Sequence, residues 1–512
     1  MRSGVLSLAG SPESPEPGTR APRSIVLAMA GVAALFLVKA VVLAFWVTPL
    51  WDVPDETGHY AIVADLSEGR GLPLQGKSAI PSEVVSDWTR GKSVTPVGNW
   101  VAQHPPLYHL LAAPILSAAR AVTSEPRWRY RAPRLLSALA GAAGLLLFFR
   151  AFFEASGDPL LSFAAASGIG CVPMYSHLAS GTNHDILLAA ASGLVALGWV
   201  RFERTGLLPD AMRMAGALAL AGAIKLSALP LAGALWLLCL PRLTARGGRR
   251  VAGAVAIGAT AVSLPLLWTL RHWWLLGNTS VHPVSARSFA LPAFVAYLRG
   301  EPVVDHTFKN FFGLIGWTGT GGGDLRWFQI SGVFLAPYLL LALAGAAGTA
   351  VWLRGRSAGI PRLAAAAAAA IVFLFCFFWL FASADGAEPI KRLLYSLLAA
   401  VPMLALPLAF GKRPPGEAIL SGSQFVFLVF SLAYLVNSFE AFEIYGQMRA
   451  TNGRYFFAVL PFLVLGFVFP AAGLVRRGRW RDIGILAVLA GLFVNETAFF
   501  LLKVIPFYRG GS

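Results

Sequence analysis

Residues 214–240 read MAGALALAGAIKLSALPLAGALWLLCL, and how this stretch folds decides how often the chain crosses an apolar layer. A helix needs about 20 residues to cross roughly 30 Å of hydrocarbon at 1.5 Å per residue. This run is long for one span. Lys225 stands near its middle and Pro230 follows just after, so a tight hairpin of two short helices is expected. A second stretch, residues 104–122, is moderately apolar but holds Pro105, Pro106, Pro114 and two histidines. Prolines break the backbone ladder, and a re-entrant or interfacial helix is expected there instead of a span.

With those two readings one topology satisfies most of the charge pattern. The clusters Arg201/Arg204/Arg213, Arg242/Arg246/Arg249/Arg250, Arg354/Arg356/Arg362, Lys412/Arg413 and Arg476/Arg477/Arg479/Arg481 all fall on one side, the cytoplasmic side by the positive-inside rule. The expected fold class is an all-α polytopic membrane protein of about 13 transmembrane helices, with its N-terminus in the cytoplasm and its place in the plasma membrane. Regions 48–134, 176–185 and 271–332 then lie outside, the first and last as large extracytoplasmic loops. Arg127, Arg129, Arg131 and Arg134 run against the rule locally, which marks a possible anion site. All eight histidines fall in or beside the three external regions.

Composition supports this class. The chain has 512 residues, 56% of them hydrophobic and 13% charged, so a soluble core could not hide its apolar side chains. The net charge of +17 is explained by cytoplasmic loops, and no nucleic-acid partner is expected. Cys171, Cys239 and Cys376 are an odd number inside apolar runs; they read as core residues, with no disulfide framework or zinc site. Residues 1–23 read as a disordered cytoplasmic tail. Residues 24–270 form an expected N-terminal membrane module, 271–332 an external loop and 333–512 the C-terminal helices.

Candidate chemistry begins directly after the first span, in LWDVPDETGHYAIVADL. Asp55 and Glu56 stand at the water-hydrocarbon boundary, where a carboxylate base is partly desolvated. The alternative is that Asp55 caps a helix. Asp55 and His59 are four apart, a spacing that also suits a divalent metal, although no further carboxylate ligand is evident. In SHLASGTNHDILL, Asp185 is either another cap or a residue that binds substrate or orients a base. Lys225 is nearly alone among the spans; embedded cations are costly, and it is expected to meet a lipid phosphate or to snorkel. Arg134 opens a helix where positive charge is disfavoured, which an anionic headgroup would explain. Arg271, His272, Lys309 and Asn310 lie among aromatic residues that suit either an interface belt or a sugar-phosphate. Arg449 and Arg454 are placed on the external side.

The motifs PDETGH from Pro54, HPPLYH from His104, PRLLSA from Pro133, NHDILL from Asn183, IKLSALP from Ile224 and GRYFFAVLP from Gly453 occur in an order that resembles the GT-C superfamily of membrane glycosyltransferases. That superfamily includes protein O-mannosyltransferases and the lipid A aminoarabinose transferase, and the chain also resembles a bacterial membrane-protein branch that opens on a PDE motif and carries a late GRY element. The resemblance implies a GT-C-like bundle and inverting transfer of a sugar from a polyprenyl-phosphate donor to a glycan, lipid or protein acceptor outside the membrane, by a hexosyl- or pentosyltransferase. It implies that Asp55, with Glu56 beside it, is the catalytic base. It maps Arg134 and Lys225 onto positions that contact donor phosphate; His59, His104, Asp185, Arg271 and Arg454 are further substrate-binding candidates beside that mapping. No cofactor is implied. The sequence departs from the pattern in having no long soluble C-terminal domain, which puts a large protein acceptor in doubt. A flippase or transporter of lipid-linked sugars, or a polymerase of them, is the alternative.

Overall fold

Long apolar helices dominate the computed structural model, which describes residues 20–244, 248–277, 289–316, 327–354, 414–446, 452–475 and 477–509. Among these, eight helical segments are long and apolar enough to cross a membrane, and the chain is a membrane protein. The first, α1 (Arg23–Val42), continues into a π turn, Leu43–Val47. A small layer follows: α2 (Glu56–Ser67), α3 (Ser82–Trp88) and α4 (Leu107–Val122), with a two-stranded antiparallel ribbon of β1 (Ala79–Ile80) and β2 (Val97–Gly98). It has its own core of Trp51, Tyr60, Val84, Trp88, Tyr108 and Leu116. The stretch expected to be interfacial therefore packs on α2, outside the main bundle core.

After a short helix α5 (Pro126–Arg131), the chain enters α6 (Arg134–Ser156), returns through α7 (Pro159–Ile169) and α8 (Pro173–Ala179), and descends again in α9 (His184–Thr205). Arg201 meets Glu154 at 2.7 Å, so α6 and α9 end at the same level. The decisive stretch is two helices. α10 (Leu208–Ile224) stops where Lys225 adopts extended φ −156°, ψ 132°, and after a 3-10 turn α11 (Leu229–Thr244) begins. Pro230 sits in the first turn of α11, where a missing N–H leaves nothing unpaired. Ion pairs fix the direction at both ends: Lys225 is 2.6 Å from Asp185 at the start of α9, and Arg242 is 2.8 Å from Glu203 near its end. The hairpin expected from the sequence is present.

α12 (Gly248–Leu276) returns to the level of Asp185, and Trp268 donates from Nε1 to the Gln103 carbonyl there. Beyond it lie α13 (Leu291–Gly300), α14 (Val303–Phe312), the antiparallel pair β3 (Leu314–Gly316) and β4 (Trp327–Gln329), α15 (Ala336–Arg354), α16 (Pro415–Tyr445), a composite helix Gly453–Ala472 and α17 (Arg479–Phe499). Among the described residues, one apolar core takes in side chains from Met29 to Val504. Trp199 packs on Phe462 and Phe152 on Phe469, ring centroids 5.5 and 5.6 Å apart, so helices before residue 270 pack on helices after residue 333. The expected spans 363–381 and 393–410, the tail up to residue 19, Arg356, Arg362, Lys412, Arg413, Arg449, Arg476, His282 and Cys376 lie outside the described residues.

Two charge expectations change. The run at 127–134 owes its place partly to capping: Arg129 donates to the carbonyls of Thr123 and Arg120 at the end of α4, the negative end of a helix dipole. Lys225 is not nearly alone, because Lys39 in α1 lies 2.9 Å from Glu496 in α17, and Ser176 donates to the same carboxylate at 2.5 Å.

Candidate functional site

The six motifs converge at one end of the bundle, although they lie up to 399 residues apart in sequence. Construction starts where α1 ends. The end of the π turn and the extended residues after it leave carbonyls without helical partners, and Arg134 meets them: NH1 donates to Ala44 (2.6 Å) and Thr48 (2.9 Å), NH2 to Pro49 (2.7 Å). Its Nε and NH2 also hold Glu56 in a two-point pair, each at 2.7 Å. Glu56 accepts two more bonds, from the backbone N–H groups of Trp51 and Thr182, both at 2.9 Å. Arg134 is fully buried and Glu56 nearly so. All five guanidinium N–H groups are used inside the protein, and both carboxylate oxygens are doubly occupied.

This corrects two expectations. Arg134 has no donor left for a lipid phosphate, and Glu56 is not placed as a base. Together they pin the loop after α1 to the start of α6 and to the turn before α9.

Asp55 is different. Its backbone is left-handed, φ 63°, ψ 9°, at the N-cap position of α2, yet its side chain makes no capping bond. One carboxylate oxygen accepts from Trp100 Nε1 at 2.8 Å and the other from Arg454 NH2 at 2.5 Å. Asn99 aims Trp100: its Oδ1 accepts from Val101 N, and its Nδ2 donates to the Gly58 carbonyl. Asp55 retains 20% side-chain exposure, whereas Arg454 has 1%.

Arg454 belongs to the composite helix, where Gly453 lies against α14. A Cβ on Gly453 would come 2.1 Å from the Thr307 carbonyl oxygen and 2.3 Å from Phe311 N, so only glycine lets the two backbones meet. Arg454 Nε lies 3.4 Å from Asp185 Oδ2, and Lys225 donates to Asp185 Oδ1 at 2.6 Å. The cap of α9 is Asn183, whose Oδ1 accepts from Asp185 N while its Nδ2 donates to the Pro54 carbonyl. Asp185 is thereby free of capping duty. Tyr455 lies beneath both cations, 4.4 Å from Lys225 Nζ and 5.8 Å from the Arg454 guanidinium carbon, a favourable cation-π arrangement. The result is a chain Asp55–Arg454–Asp185–Lys225 in which two carboxylates meet two cations.

Four histidines flank this chain. His59 Nδ1 is 2.9 Å from His109 Nε2, and the His184 ring lies 4.3 Å from that of His59 and 4.8 Å from that of His104. Burial pushes the His109 imidazole down to about 3 and holds His59 well below its ordinary value, the neighbouring His109 adding to the effect. Both rings are neutral near pH 7. Asp55 and His59 turn to different partners, so the spacing that suits a metal does not bring them together. Nearby, Asp52 accepts from Tyr508 at 2.6 Å, and burial raises its carboxyl to about 6.

Other candidates stay apart. Arg271 donates to the carbonyls of Pro73 and Leu72 and stacks on Trp268 at 5.0 Å, so it clamps the first loop onto α12. Lys309 pairs with Asp305, and Asn310 accepts from Gln329. Of the side chains gathered here, Trp100 lies outside every motif quoted from the sequence, while Tyr455, Asn183 and His109 lie inside quoted motifs but were given no role of their own. Tyr455 and Asn183 adjoin residues that were given one, whereas nothing local distinguishes Trp100 from an interface tryptophan.

No family model matches the chain and no curated protein matches it. Among solved structures it is similar to the S. cerevisiae protein O-mannosyltransferase Pmt1-Pmt2 complex bound to the sugar donor, with 16% identity, 56% of this chain and 38% of that chain covered, and a TM-score of 0.36. It is similar to ArnT from Cupriavidus metallidurans bound to undecaprenyl phosphate, with 14% identity, 96% and 78% covered, and a TM-score of 0.38. It is also similar to the Archaeoglobus fulgidus oligosaccharyltransferase tethered with an acceptor peptide, with 12% identity, 93% and 55% covered, and a TM-score of 0.39. The chain thus spans 38% of the yeast chain and 55% of the archaeal one.

Proposed function

We propose that the chain is an inverting glycosyltransferase that moves a sugar from a polyprenyl-phosphate donor to a cell-envelope acceptor on the extracytoplasmic side of the membrane. The observation that carries this reading is the ionic chain Asp55–Arg454–Asp185–Lys225 at one end of an apolar bundle. It combines a partly exposed carboxylate with two buried cations over an aromatic ring, which is what a reaction with a lipid-phosphate leaving group needs. The orientation with the N-terminus in the cytoplasm follows from the basic residues at the opposite end, among them Arg201, Arg242 and Arg481.

In this mechanism the acceptor hydroxyl oxygen attacks the anomeric carbon as the bond from that carbon to the phosphate oxygen breaks. The proton passes from the hydroxyl to a carboxylate oxygen of Asp55, and the bonding electrons leave with the phosphate. Charge growing on that phosphate is stabilised by Arg454 and Lys225, fixed in a site of low dielectric. Asp185 holds the two cations in register. Arg134 and Glu56 act at a distance from substrate, by positioning the loop that carries Asp55.

The test is binding of polyprenyl phosphate to purified protein in nanodiscs. Lys225→Gln and Arg454→Gln are each expected to lose about 1.5–3 kcal/mol, or roughly ten- to a hundredfold in affinity. Unchanged affinity in both folded variants rejects the donor site. Mass spectrometry of envelope glycans from a deletion strain identifies sugar and acceptor. The transport reading has one observation in its favour, the Lys39–Glu496 pair inside the bundle, and movement of lipid-linked sugar across proteoliposomes without transfer would establish it.

A further inference from the structure

We infer that donor phosphate and Asp55 compete for Arg454, so that seating of the donor is what frees Asp55 to act as a base. The inference rests on the proposed function and concerns the regulation of the same site. Both oxygens of Asp55 are engaged, one by Trp100 and one by Arg454 at 2.5 Å. Each carboxylate oxygen already accepts a hydrogen bond, so neither is presented unoccupied to an acceptor hydroxyl while Arg454 holds Asp55. With Asp55 and Asp185 on Arg454 and Lys225, the four groups sum to zero charge, and an incoming phosphate finds no uncompensated cation among them.

One member of the chain is built to yield. Arg454 is held by the backbone contact of Gly453 with α14 and by Tyr455. Asp185 is fixed at the start of α9, whose cap is Asn183. Asp55 has no capping bond, sits outside the helix on left-handed backbone, and is the only one of the four with appreciable exposure. Guanidinium binds phosphate at least as well as carboxylate, through the same fork of donors. A donor phosphate therefore takes Asp55's place on Arg454 NH2, Trp100 keeps the freed carboxylate near the sugar, and Asp185 stays to hold Lys225. The base is masked until the electrophile is present, so donor binding precedes acceptor deprotonation.

The exchange has a reciprocal signature: whatever the phosphate does to Asp55, neutralising Asp55 does to phosphate affinity. The experiment measures binding of polyprenyl phosphate, without sugar, to the full chain in nanodiscs. Asparagine accepts left-handed backbone and can still accept from Trp100, so Asp55→Asn is expected to fold and to bind about tenfold more tightly than wild type. Arg454→Gln is expected to bind more weakly, and Asp55→Asn on that background is expected to gain nothing further. If Arg454→Gln does not give monodisperse protein, Arg454→Lys takes its place, and there the gain from Asp55→Asn is expected to shrink. Equal or weaker binding by Asp55→Asn, with Arg454 still required, overturns the exchange but leaves the donor site standing. A gain that persists in full without Arg454 reduces the effect to general charge repulsion and also overturns it. Wild-type affinity in both Arg454→Gln and Lys225→Gln removes the donor-site reading, and the exchange with it.

Discussion

Replacing Glu56 with glutamine separates support from chemistry at the PDE motif. In the native structure one Glu56 oxygen accepts from Arg134 Nε and Thr182 N, the other from Arg134 NH2 and Trp51 N, at 2.7–2.9 Å. A glutamine amide has one oxygen, so in either orientation its NH2 group faces two donors and both of those bonds are lost. Bonds to charged groups contribute about 1.5–3 kcal/mol each, and breaking a buried pair typically costs about 3–5 kcal/mol because the remaining charge is stranded. Glu56→Gln is therefore expected to lose about 3–5 kcal/mol of stability, read from equilibrium unfolding in mixed micelles. Glu56→Leu combined with Arg134→Met removes both charges and is expected to cost less than the two single changes added together. A Glu56→Gln protein within about 1 kcal/mol of wild type would refute this reasoning. If that protein were also stable and inactive, Glu56 would return to the chemistry.

Gly453→Ala is expected to lower the yield of folded protein or cost about 1–3 kcal/mol, since its Cβ would overlap the α14 backbone; a melting curve like that of wild type contradicts the contact. Stability should fall with acidification. His59 and His109 are held neutral by burial, so their contribution is present above about pH 6.5 and is lost below it, by about 1.4 kcal/mol per histidine at pH 5.5. Asp52, raised to about 6, acts in the opposite direction by less than about 1 kcal/mol over the same interval. An equal or higher melting temperature at pH 5.5 than at pH 7.5 would show that the histidines are not buried and neutral. Glu496→Gln should destabilise by about 1–3 kcal/mol, with Lys39→Met on that background recovering part of the loss; no recovery would mean the pair is not coupled.

The sequence carried the bundle and its reversals because hydrophobic length and proline placement are local signals. Lys225 and Pro230 marked the α10–α11 turn, and the two external prolines marked α4. The motifs of the site were equally visible, since PDETGH, NHDILL, IKLSALP and GRYFFAVLP all contribute to one ionic chain. What was not legible was which side chain meets which. Asp55 and Arg454 are paired across 399 positions, and no local pattern states that distance. Arg134 resembled an anion site because positive charge is disfavoured on its side, but its partners are Glu56 and the carbonyls of Ala44, Thr48 and Pro49 at and just after the π turn, and a backbone irregularity at the end of α1 leaves no trace in residue type. Glu56 and Asp55 are adjacent and chemically alike, so only the fold distinguishes the buried anchor Glu56 from the partly exposed Asp55.

The central claim is tested most directly by single-turnover sugar transfer from a synthetic polyprenyl-phosphate sugar to an envelope-derived acceptor, comparing wild type with Asp55→Asn in nanodiscs. The amide is almost isosteric with the carboxylate but takes no proton, so the wild-type protein should transfer sugar, and the variant should fold, bind lipid phosphate and lose about 10²- to 10⁴-fold in rate. Transfer by Asp55→Asn at close to the wild-type rate would contradict the account.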